Sequence, residues 1–123
     1  GNAEYQAALK ISHGVLRNRK LQNSIQLYTQ AFEMDRDSVQ ALTNRAAVYL
    51  TLDQLDKAAG DCLLAIETGK RTKADSKIMQ RAYERLGKVK FQQKLYTEAI
   101  EALSCVEKSC LSENCMKILE EAE

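Results

Sequence analysis

Asn44-Arg45-Ala46-Ala47-Val48-Tyr49-Leu50, followed by Asp56-Lys57-Ala58-Ala59-Gly60-Asp61-Cys62-Leu63-Leu64-Ala65-Ile66, is the stretch that decides the fold. It reads as two short helices with small residues where the two must touch. The pattern recurs on both sides. Ser24-Ile25-Gln26-Leu27-Tyr28-Thr29-Gln30-Ala31 precedes it. Leu86-Gly87-Lys88-Val89, then Tyr96-Thr97-Glu98-Ala99-Ile100-Glu101-Ala102-Leu103, follows it. Ser24 and Ala58 stand 34 residues apart. A period of that length belongs to stacked helix pairs, in which each pair buries its apolar face only against its neighbours.

Working outward, the apolar period predicts seven helices. The first spans about Ala3 to Arg17, with Tyr5, Leu9, Val15 and Leu16. The second spans about Leu21 to Met34, carrying Ile25, Tyr28 and Phe32. Asp35-Arg36-Asp37-Ser38 is a break, and Asp37 or Ser38 can cap the third helix. Asp53 is expected to cap the fourth, and Thr72 with Asp75 to form a capping box for the fifth. The sixth runs from about Leu95 to Glu107, and the seventh from about Ser112 to Glu121. Ala58 and Ala99 are 41 residues apart, seven beyond the period. The excess is expected in a lengthened turn near Thr68–Asp75 and a longer fifth helix. The predicted class is all-α: a right-handed superhelix of three helix-turn-helix repeats, at about 3–36, 37–70 and 73–108. A capping helix at about 111–122 completes a single domain over 1–123, expected to be a fragment of a larger protein.

Composition agrees. The chain of 123 residues is 45% hydrophobic and 28% charged, with no proline and five glycines. Few helix breakers fit a nearly all-helical chain. A formal net charge of +1 provides no global attraction to nucleic acid or to an anionic membrane. No apolar run reaches the ~18 residues that span a bilayer. Cys62, Cys105, Cys110 and Cys115 lack zinc spacing, so reduced thiols, no metal and a cytoplasmic setting are expected. His13 is the single histidine and no phosphate-binding loop is present, so no catalytic residue and no cofactor are expected.

Binding is then the expected activity, in the groove lined by the first helix of each pair. Arg81 and Arg85 are one turn apart and share a face. Asn44 and Arg85 each lie 14 residues before the small residue of their partner helix, Ala58 and Ala99. Stacking therefore turns Asn44 and Arg85 toward one groove. Planar guanidinium donors and an amide suit a carboxylate. Lys88 and Leu50 are further groove candidates.

The repeat is identified as tetratricopeptide (TPR) in type. The run Asn44-Arg45-Ala46-Ala47-x-Tyr49, then Asp61-Cys62-x-x-Ala65-Ile66, resembles the TPR domains of heat-shock co-chaperones. Ala65-Ile66-Glu67-Thr68-Gly69-Lys70 and Arg81-Ala82-Tyr83-Glu84-Arg85-Leu86-Gly87 resemble the central TPR domain of heat-shock organising proteins. The resemblance implies a co-chaperone adaptor with a five-residue clamp for the terminal carboxylate and aspartate of a chaperone's Glu-Glu-Val-Asp tail. Asn44, Arg81 and Arg85 match clamp positions. The first repeat departs: Leu9 stands at the clamp lysine and His13 at the clamp asparagine. Lys10 is one position off, roughly 100° around the helix. The clamp is thus incomplete, and a TPR scaffold of another multiprotein complex remains the alternative.

Overall fold

The computed structural model describes the backbone of residues 2–106 and 113–122, and the side chains of 14–106 and 116–121. Within these residues the chain forms six helices and no strand: α1 (Asn2–Met34), α2 (Val39–Thr51), α3 (Leu55–Thr72), α4 (Ser76–Gln92), α5 (Tyr96–Leu103) and α6 (Glu113–Ala122). Helices α2 with α3, and α4 with α5, are antiparallel pairs that stack on one another.

Small residues set the stacking distance. Ala46, Ala58, Cys62, Ala65 and Ala82 are fully buried in one core with Leu42 and Val89. At Gly87 an added Cβ would meet the Leu103 side chain at 2.6 Å, so α4 and α5 cross there without room for a methyl group. Leu103 also packs with Ile118, and through that contact α6 covers the end of the stack.

The helix ends follow local chemistry, with two departures from expectation. Ser38 caps α2, its hydroxyl accepting from the Ala41 amide. Asp53 does not cap α3. It adopts a left-handed φ of 61° beyond the end of α2, and Gln54 begins α3 without a side-chain cap. Lys73 and Lys94 take the same conformation after α3 and α4. Thr72 is no capping-box residue either. It ends α3, its hydroxyl bonded to the Thr68 carbonyl, while Asp75 alone caps α4 by accepting from the Lys77 amide.

Two larger differences concern length. Residues expected to form the first two helices run as one, the 33-residue α1. Asn18-Arg19-Lys20 contains neither glycine nor proline, and arginine and lysine are good helix formers, so nothing local ends the helix. The Ser24 hydroxyl donates to the Lys20 carbonyl across the position where the turn was expected. The seven extra residues near position 70 do not lengthen a turn. They lengthen the helices on either side of a short link: α3 runs on to Thr72, and α4, expected to be long, has 17 residues against the 13 of α2. On α6, Lys117, Glu120 and Glu121 are exposed, as a capping helix requires. The sixth helix, expected to reach about Glu107, ends as α5 at Leu103, where the Cys105 and Val106 amides turn back to the Ala102 and Leu103 carbonyls. Expectations for Cys110 and for the side chain of Cys115 lie outside the described residues.

Candidate functional site

Helices α2 and α4 lie side by side and present their outward faces to one hollow of about 510 Å³. It is lined by Gln40, Thr43, Asn44, Ile78, Arg81, Glu84, Arg85 and Lys88. The 3.6-residue period explains the set. Gln40 and Asn44 are one turn apart on α2. Ile78, Arg81, Arg85 and Lys88 fall on one stripe of α4.

Four of the sequence candidates, Asn44, Arg81, Arg85 and Lys88, thus share one hollow. Leu50 does not line it. With Phe91, Gln92, Lys94, Tyr96 and Ile118 it lines a second, more apolar hollow of about 440 Å³, and Lys88 borders both. Leu9 and His13 fall on the first half of α1, and their side chains lie outside the described residues. Among the described residues, none from α1 lines either hollow.

Arg85 is the distinctive group. Its Nε is buried and has no hydrogen-bond partner among the described residues. A buried, unpaired guanidinium nitrogen is costly, because desolvation is uncompensated. Arg85 also lines the hollow, so an anion there can reach its guanidinium. Three cations surround the space against one carboxylate, Glu84, so the local field favours a negative ligand. Beneath the groove, burial pushes the Cys62 thiol up to about 12, with Arg85 acting in the opposite direction. Cys62 is therefore an inert packing thiol.

Gln40, Thr43, Ile78 and Glu84 were missed by the sequence reading. Their signal was available in the same helical stripes as Asn44 and Arg81. The lining of the second hollow was not legible, because it needs the placement of α6 to bring Ile118 beside Phe91.

No family model matches the chain. Among solved structures, it is similar to the Sgt2 TPR domain from Aspergillus fumigatus, with 31% identity and a TM-score of 0.70. The match covers 89% of this chain and 70% of that one. The chain belongs to the TPR-domain family. The TPR resemblance extends to the N-terminal domain of stress-induced protein-1 from C. elegans, at 26% identity and a TM-score of 0.64. That match covers 77% of this chain and 75% of that one. Among curated proteins, a Hsp70-Hsp90 organizing protein from Triticum aestivum is 34% identical over 127 residues, covering the whole of this TPR chain and 20% of its own length. Hsp70-Hsp90 organizing protein 1 from Arabidopsis thaliana is 31% identical over 118 residues, covering 93% of this chain and 21% of its own. The chain spans about a fifth of the length of these relatives. No helix among the described residues is long and apolar enough to cross a membrane.

Proposed function

We propose that this TPR domain is a non-catalytic adaptor module that grips the carboxylates of an acidic C-terminal peptide between α2 and α4. The observation that carries the reading is Arg85, which has a buried, unpaired Nε and lines a hollow shared with Asn44, Arg81 and Lys88. A terminal carboxylate offers the paired acceptors that a guanidinium fork matches. Asn44 adds an amide that can donate to the same oxygens. The similarity to Hsp70-Hsp90 organizing proteins supports a chaperone-associated role, with the acidic tail of a heat-shock chaperone as ligand and the cytoplasm as its setting.

A second reading has its own support. Leu9 and His13 stand where the resembling domains have lysine and asparagine, and α1 is one continuous helix instead of a helical hairpin. Both favour a scaffold role in another complex, with a ligand that does not require the complete clamp.

Binding of a labelled peptide ending Glu-Glu-Val-Asp, followed by fluorescence anisotropy, separates the two. The adaptor reading expects saturable binding that Asn44→Ala and Arg85→Ala each weaken. Absence of binding removes the chaperone tail and leaves the scaffold reading.

A further inference from the structure

The face of α3 turned away from the groove carries an apolar centre that its counterparts lack. Leu63 is 52% exposed and Leu64 37% exposed. At the same repeat register α1 has Thr29 and Gln30, and the residues that follow the repeat on α5 are Ser104 and Cys105. One turn before Leu64 stands Gly60, and a Cβ there would meet open space. A mid-helix glycine costs about 1 kcal/mol relative to alanine. Packing among the described residues gives no reason for it, so the bare backbone suits a close approach from outside.

Charge along the same stripe identifies what approaches. Asp56 lies at its N-terminal end, Lys70 and Arg71 at its C-terminal end, and Gly60 and Leu64 lie between. Such a stripe is complementary to itself run backwards. We infer that α3 pairs antiparallel with α3 of a second copy of this chain, Leu64 of each copy seated over Gly60 of the other. That crossing sets Lys57 beside the second copy's Glu67. A two-fold axis makes every one of these contacts twice, which is how an isologous interface gains from a short patch. Within one copy Lys57 lies over the Tyr49 ring of α2, so its pairing with Glu67 across the axis exchanges that contact for an ion pair. A single helix pair is a small interface, so the dimer is weak and forms at high concentration.

Sedimentation velocity on the full chain, from roughly 10 µM to 1 mM, is the test. The mass should rise from monomer toward dimer across that range. Leu63→Glu together with Leu64→Glu should hold the chain monomeric with an unchanged melting temperature, because neither side chain is in the core. Lys57→Glu alone and Glu67→Lys alone should each weaken association about fivefold or more, since each creates two like-charge contacts per dimer. The combined variant should restore it. A monomer throughout the range overturns the proposal. So does a dimer that survives the leucine changes, or a charge reversal that fails to restore association.

Discussion

The Arg45 guanidinium grips the Asp61 carboxylate with two hydrogen bonds of 2.7 Å, one from Nε and one from Nη2. Its remaining terminal nitrogen, Nη1, donates to the Thr29 hydroxyl at 3.1 Å. One side chain therefore ties α1, α2 and α3 together. It also lies between the Phe32 and Tyr49 rings, 5.7 and 6.0 Å from their centroids. The hydrogen bond to Asp61 raises the guanidinium's already high pKa. With side-chain exposures of only 15% and 10%, the pair is shielded from solvent.

Breaking that pair by Asp61→Asn or Arg45→Ala should destabilise the fold by about 3 kcal/mol, because a buried partner is left uncompensated. Replacing both with apolar residues of similar volume, Arg45→Met with Asp61→Leu, should cost clearly less than either single change. Urea unfolding of the four proteins checks this, and additive losses would contradict it.

Close helix crossings give the second prediction. Gly87→Ala should cost about 1–3 kcal/mol because Leu103 must move, and Ala58→Leu should cost at least as much at a fully buried position. Gly60→Ala serves as the internal contrast: its space is open, and it should stabilise the monomer by up to about 1 kcal/mol. Thermal melts of the three at low concentration make the comparison.

Cys62 supplies a dependence on pH. Burial raises its folded-state value from 9.0 to about 12. Above pH 9 the unfolded chain loses this proton while the folded chain keeps it, so stability falls as pH rises toward 12. The slope approaches about 1.4 kcal/mol per pH unit for this one group. Cys62→Ala should remove that part of the slope, although it lowers stability at neutral pH. Ellman's reagent should meanwhile label exposed Cys105 quickly and leave Cys62 untouched until the protein unfolds.

The first-repeat departures give a prediction that the continuity of α1 decides. Leu9→Lys with His13→Asn restores the clamp residues that the co-chaperone resemblance implies. In the continuous α1, position 13 lies 16 residues before Thr29, the residue that Arg45 holds, or about 24 Å along the helix axis. The double change should therefore leave binding of a Glu-Glu-Val-Asp peptide within about twofold of the unmodified chain, by fluorescence anisotropy. A gain of about tenfold or more would show that positions 9 and 13 reach the peptide and that α1 folds back.

How much of this was legible depended on distance along the chain. The alignment of Asn44 with Arg85 was readable because side-chain direction follows the helical period and the repeat fixes the offset between pairs. Arg45 and Asp61 were quoted within the repeat motif, yet their bond was invisible, since residues on different helices give no local pattern. The continuity of α1 was missed because Asn18-Arg19-Lys20 permits either a helix or a turn, and tertiary packing chooses. Asp53 misled for a related reason: a short acidic side chain suits both an N-cap and a left-handed turn position. The extra length near position 70 was recognised and the longer α4 was expected, but the share assigned to a turn went into α3, because no proline or glycine follows Gly69 to end α3 early.

The central claim is that Arg85 and its neighbours recognise a terminal carboxylate. Isothermal titration of the chain with one acidic peptide, prepared as the free acid and as the C-terminal amide, tests it most directly. The peptide should end Glu-Glu-Val-Asp, at concentrations reaching the millimolar range. Amidation removes the terminal charge and puts an NH2 donor in place of one acceptor oxygen, so affinity should fall by about tenfold or more. In Arg85→Ala the two forms should bind nearly alike. Equal affinity of both forms for the unmodified chain would contradict the account.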